Sequence, residues 1–168
     1  GAYICELLRG GLEAIDKGLD ELLVAGLQII WQTGKPYAEK GKQRAAGKQG
    51  AWVNEFITQM EYAYAAADIV VARAGAMTVA ELCVAKKPVL FVPYPFAAED
   101  HQTVNAMALI KKNAALMVKD TEAKQKLVFM TIELAKDKGK QEELETNISK
   151  LAITDADVKV AEEILKLI

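Results

Sequence analysis

Histidine, cysteine and proline are scarce in this chain, and no long apolar run interrupts it. The one histidine, His101, excludes a metal site built from several imidazoles. The two cysteines, Cys5 and Cys83, stand far apart in apolar surroundings. They read as reduced, buried thiols of a cytoplasmic protein rather than as a disulfide framework. No stretch approaches the roughly 18 apolar residues that a membrane-spanning helix requires. The opening GAYICELLRG has no basic region followed by an apolar one, so it does not read as a secretory leader. Charge of one sign is also missing: 21 Lys and Arg against 23 Asp and Glu leave −2 at pH 7. A pI near 5.6 excludes the basic footprint of a nucleic-acid-binding domain. Neither a G-x-G-x-x-G dinucleotide fingerprint nor a G-x-x-x-x-G-K-S/T phosphate loop occurs. The stretch WQTGKP (31–36) puts a glycine and a lysine at a strand end but lacks the rest of that spacing.

What is present is a globular composition, 52% hydrophobic and 26% charged over 168 residues, enough for a sizeable core. Residues 1–168 read as one domain. The chain begins at Gly1 rather than Met, and a cut or processed piece of a longer protein is expected. Leucines and isoleucine at 7, 8, 12, 15, 19, 22 and 23 suggest a helix over 6–23, against the cost of Gly10, Gly11 and Gly18 inside it. Short apolar strands are predicted at 27–31, 51–53, 69–72, 89–92 and 115–118. Helices are predicted at 60–67, 78–85, 102–112, 121–136, 141–150 and 158–167. Strands apolar on both faces and alternating with helices belong in a parallel sheet covered on both sides. The fold class is therefore α/β, doubly wound, with ligands expected in the turns at the carboxyl ends of the strands.

Three of those turns are rich enough to carry chemistry. In RAGAMTVAEL (73–82) a strand stops and a helix starts. Small residues there let a ligand approach the backbone, and the first helical amides favour an anion such as a pyrophosphate. Thr78 and Glu81 also have the S/T-x-x-E spacing of a capping box, which needs no ligand and is favoured by spacing alone. In PYPFAAEDHQTVNA (93–106), Glu99, Asp100, His101, Gln102 and Asn105 suit a hydroxyl-rich ligand. They equally make a solvated helix start with Asp100 as its N-cap. His101 has no serine or cysteine arrangement beside it and is no catalytic signal by itself. Phe56-Ile57 reads either as a wall for a flat base or as a hydrophobic staple. Tyr62 and Tyr64 read as packing.

Taken together, WQTGK, FI..M..AYAAAD, RAGAMTVAEL, KPVLFVPYPFAAEDHQTVNA and A....VKD resemble the carboxyl-terminal half of the MurG-type cell-wall glycosyltransferases of family 28. The resemblance runs from about Leu27 to the end, with 73–82 and 97–106 its most specific parts. It implies one Rossmann-like half of a GT-B enzyme, the half that holds the sugar nucleotide. The activity implied for the parent is inverting transfer of N-acetylglucosamine from UDP-N-acetylglucosamine to lipid I (undecaprenyl-pyrophosphoryl-N-acetylmuramyl-pentapeptide), giving lipid II. By that resemblance the backbone at Phe56 and Ile57 reads uracil, and Glu81 holds the ribose hydroxyls. Gly75, Ala76, Met77 and Thr78 surround the pyrophosphate, with Arg73 adding positive charge. His101, Gln102 and Asn105 contact or support the sugar. No metal and no cofactor are implied.

The departures shape the remaining expectations. The first domain of the family, with its acceptor site, membrane-facing patch and catalytic groups, has no counterpart here. This half is expected to bind donor without turnover, while the parent sits peripherally on the inner face of the membrane. The family's second domain opens with a strand and a GGS-like loop. Here the sequence predicts that this first strand is missing, with Gly1-Ala2 the tail of the loop and a sheet edge left exposed. The stretch 3–25 matches the family poorly. Three other readings stay open: a stand-alone donor subunit working with a separate membrane acceptor subunit, a UDP-N-acetylglucosamine 2-epimerase-like domain, and an α/β module whose turns are all structural.

Overall fold

The computed structural model describes residues 2–7 and 13–166. Six strands form one sheet: β1 (Tyr3–Leu7), β2 (Gln28–Gln32), β3 (Ala51–Asn54), β4 (Ile69–Ala72), β5 (Val89–Phe91) and β6 (Leu116–Met117). All pair in parallel, in the order β3-β2-β1-β4-β5-β6. The helices are α1 (Glu13–Val24), α2 (Ala38–Ala45), α3 (Met60–Ala66), α4 (Ala76–Ala85), α5 (His101–Ile110), α6 (Asp120–Lys136), α7 (Lys138–Ser149) and α8 (Ala156–Leu165).

Strand β4 shows why helices must cover both faces. Its four side chains are wholly buried and point alternately to opposite sides. Ile69 and Val71 join one core with Leu19 and Leu22 of α1, Trp31 of β2 and Leu127 of α6. Val70 and Ala72 join the other with Tyr64 of α3, Leu82 of α4 and Leu109 of α5. Helix α7 gives Leu144 to the first core and Ile148 to the second, tying the two layers together.

The amino end differs from the sequence-based expectation. The helix expected over 6–23 is α1, described over Glu13–Val24, and does not include residues 6 and 7. Residues 3–7 form β1, which lies in the middle of the sheet with β2 on one side and β4 on the other. Contrary to the expectation, a strand is therefore present at this end of the described residues. Among the described residues the edges of the sheet are β3 and β6. Ala2 precedes β1 and is not the tail of a loop that follows it. Gly1, and the stretch 8–12 that carries Gly10 and Gly11, lie outside the described residues. The error has a physical source. A five-residue strand holds too few positions to separate a twofold from a 3.6-fold apolar pattern, and its leucine merged with the stripe of α1.

At the other end, no residue of α8 is buried among the described residues. Val158, Val160 and Ile164 are each more than half exposed.

Gly18 weakens α1 intrinsically, by about 1 kcal/mol against alanine. It is nevertheless suited to its place, because a Cβ there would run into Val128 Cγ2 on α6. We expect Gly18→Ala to destabilise by about 1–2 kcal/mol in urea unfolding, overpacking outweighing propensity. The cycle with Val128→Ala should show a coupling of about 1 kcal/mol. Simple additivity would show that the close approach is not what the glycine provides.

Candidate functional site

Strand register brings the turns together. Leu7 pairs with Gln32 on one side and Ala72 on the other. Gln32 in turn pairs with Asn54, Ala72 with Phe91, and Phe91 with Met117. All six strands thus end on one row, and every described strand-to-helix turn opens on the same edge. The chain winds outward from β1 to β3, then returns to β4 and winds the other way. The crevice between the two halves, beside β1 and β4, is where such sheets bind ligands.

Helix α4 starts at that crevice. Gly75 is its N-cap, with φ −66° and ψ 148°, and no side chain caps the helix. The capping box expected at Thr78 and Glu81 does not form. The helix begins at Ala76, which puts Thr78 in its third position rather than at its cap. Glu81 instead accepts a hydrogen bond from the Tyr64 hydroxyl at 2.9 Å. The amides of Ala76, Met77 and Thr78 therefore face the edge without a side-chain partner, carrying the positive end of the helix dipole. Neither backbone angle nor packing demands glycine at 75, since a Cβ there would come no closer than 3.9 Å to Thr78 Oγ1. Glu81 is three residues beyond Thr78, on the same helix face and roughly 7 Å down the axis from Ala76.

Several polar groups expected to meet a ligand hold neighbouring turns in place. Arg73 donates to the carbonyls of Val92 (3.0 Å) and Pro93 (3.1 Å) and to Asp120 Oδ1 (2.5 Å). Its guanidinium also lies 5.4 Å from the centre of the Tyr94 ring, within cation–π range. Its charge thus ties the β4, β5 and β6 turns together, and its buried Nε has no partner among the described residues. Asn105 donates to Ala74 O at 3.0 Å, fixing the turn before α4. Gln102 Oε1 accepts from Tyr94 N at 2.9 Å, and His101 Nδ1 lies 2.6 Å from Ala98 O. A carbonyl oxygen only accepts, so Nδ1 is the donor in that contact.

Asp100 is the N-cap of α5, as the polar-helix-start reading expects, but its side chain accepts from Thr103 Oγ1 rather than from a backbone amide. Glu99 and Asp100 both adopt positive φ, 51° and 53°. Consecutive non-glycine residues in that region store strain of the kind found beside binding sites.

On the far side, Gln32 is buried and its Oε1 accepts from Ile57 N at 2.7 Å. The Ile57 amide is therefore occupied. Phe56 is half exposed beside a cavity of about 350 Å³ shared with Trp52, Asn54 and Tyr62. Cys83 is buried, and that burial pushes its thiol up, with Lys112 opposing the shift, so it is not an activated nucleophile. Among the described residues no group of three or more His, Cys, Asp or Glu side chains is placed to hold a metal ion.

Comparison with known proteins decides the family. The glycosyltransferase family 28 C-terminal domain matches residues 10–163. The chain belongs to that family. A curated relative from Phocaeicola vulgatus is 47% identical over 156 residues, 90% of this chain and 41% of the relative. It is named UDP-N-acetylglucosamine–N-acetylmuramyl-(pentapeptide) pyrophosphoryl-undecaprenol N-acetylglucosamine transferase. The crystal structure of Acinetobacter baumannii MurG superposes with a TM-score of 0.82 at 27% identity, over 98% of this chain and 49% of that one. A UDP-N-acetylglucosamine 2-epimerase shares the fold alone, with a TM-score of 0.70 at 11% identity. This chain thus spans well under half the length of the curated relative.

Sequence reasoning missed Gln32, Asp120 and the bonding role of Tyr64. A glutamine closing the apolar strand IIWQ was a usable signal for the first. Asp120 and Tyr64 sit 47 and 17 residues from their partners, and nothing in the spacing announces either pairing.

The Arg73–Asp120 pair is testable. Arg73 is 15% exposed at its side chain and Asp120 30%. Asp120→Asn should cost about 1–2 kcal/mol in urea unfolding, because it leaves a mostly buried cation without its counter-charge. An unchanged midpoint would show that the pair contributes nothing.

Proposed function

We propose that this domain is the donor-binding half of an inverting transferase. The parent moves N-acetylglucosamine from UDP-N-acetylglucosamine to undecaprenyl-pyrophosphoryl-N-acetylmuramyl-pentapeptide in peptidoglycan synthesis. The observation that carries the reading is the uncapped start of α4 at the switch point, with Glu81 on the same helix face. The names of the relatives supply the sugar nucleotide and the acceptor.

In this reading the amides of Ala76, Met77 and Thr78 receive the diphosphate, and Gly75 keeps the approach open. Charge grows on the β-phosphate as the anomeric bond breaks, and preoriented amides stabilise it where it develops. Arg73 acts through the turn it braces and adds positive potential nearby. Glu81 accepts from the ribose hydroxyls. The uracil lies against Phe56, with its N3–H donated to the Ile57 carbonyl. His101 and Gln102 meet the sugar, with Asn105 supporting the turn beneath it. The group that activates the acceptor hydroxyl lies in the parent's other domain, so this half binds donor without transferring it. No helix among the described residues is long and apolar enough to cross a membrane. Membrane contact and lipid I binding are assigned to the other domain, on the cytoplasmic face.

Calorimetric titration of this chain with UDP-N-acetylglucosamine, UDP-glucose and UDP tests the reading. We expect saturable binding with one site, strongest for the N-acetyl sugar. Glu81→Ala should weaken it about 10- to 100-fold, the loss of a hydrogen bond to a charged group. Failure of all three ligands to bind would sink the proposal, and equal affinity for the two sugars would remove the N-acetyl specificity.

A further inference from the structure

We propose that Tyr64 is a positioning residue for the ribose: its hydroxyl holds one oxygen of Glu81 so that the other is aimed at the nucleotide. The inference rests on the donor-binding reading and adds to it a residue on a different helix.

Tyr64 belongs to α3, which packs beside α4 on the second face of the sheet. The residue is 7% exposed and packed into that core. Only its hydroxyl reaches Glu81, where it lies 2.9 Å from Oε2. A carboxylate only accepts, so the phenol is the donor. The surrounding groove, about 670 Å³ between α3 and α4, is lined mainly by apolar groups, including Met60, Ala80 and Val84. Phenylalanine would pack there equally well, so the hydroxyl is what distinguishes tyrosine at this position.

Glu81 itself is exposed and has no ion pair among the described residues. An exposed glutamate left to itself samples many rotamers, and ordering it on binding costs conformational entropy. A core-anchored phenol on Oε2 removes part of that cost before the ligand arrives and leaves Oε1 to accept from the diol. A tyrosine that merely packs would make no difference between ligands with and without ribose hydroxyls. A tyrosine that acts through Glu81 must.

Titration of wild-type, Tyr64→Phe, Glu81→Gln and double-variant chains with UDP and with 2′,3′-dideoxy-UDP reads this directly. Tyr64→Phe should weaken UDP about five- to tenfold and leave the dideoxy nucleotide within about twofold. The double variant should bind UDP no more weakly than Glu81→Gln alone. Equal losses for both nucleotides, or no loss for either, would overturn the role of Tyr64. If Tyr64→Phe does not fold, Tyr64→Met fills the volume without a phenol and permits the same comparison. Failure of the wild-type chain to bind UDP would overturn the donor-binding reading and this inference with it. Binding with ribose dependence through Glu81 but none through Tyr64 would overturn this inference alone.

Discussion

A parallel sheet closes its backbone hydrogen bonds only if each strand is carried back over a face before the next one starts. That requirement puts helices on both sides, buries the inner strands, β4 completely, and sends all strand ends to one edge. Here the six strands finish on a single row of paired residues, from Asn54 through Leu7 to Met117. Everything that can act on a ligand follows from that alignment. The glycine before α4, the glutamate along it, the polar start of α5 and the turn after β3 are distant in sequence and share one edge.

Most of the polar side chains on this edge are already employed. Gln32 holds the Ile57 amide, Asn105 holds the Ala74 carbonyl, Gln102 holds the Tyr94 amide, and Arg73 braces two carbonyls and Asp120. Side chains bonded to backbone in this way convert loops into fixed surfaces. In the proposed reading, what remains for a ligand is mainly backbone: the amides at the start of α4 and the Ile57 carbonyl. That division suits an anionic leaving group, because preset dipoles need no reorganisation as charge develops. It also explains why several residues that suggest sugar or phosphate contacts serve as struts.

Chemistry and topology are legible at different ranges. The strand IVVA at 69–72 was readable because four apolar residues between Asp68 and Arg73 leave no other economical arrangement. The long helix α6 was readable from its period. The capping box was not, because Thr78 and Glu81 satisfy the spacing whether the helix begins at Thr78 or two residues earlier. The start at Ala76 depends on how β4 delivers the chain to the edge, which is a tertiary matter. Gly18 looked like a local weakness and proved to be a contact between α1 and α6. Resemblance, rather than spacing, named the family, and the family match over residues 10–163 agrees with that.

By itself the sequence determined the fold class, most of the elements and the positions of the strand-end turns. These rest on local quantities: apolar period, turn composition and residue counts. The tertiary structure alone decided that residues 3–7 are the central strand, because a short strand is defined by the partners on its two sides. It alone decided which polar groups brace and which stay open, because Arg73–Asp120 and Tyr64–Glu81 join helices and turns that only the packed sheet brings within hydrogen-bond range.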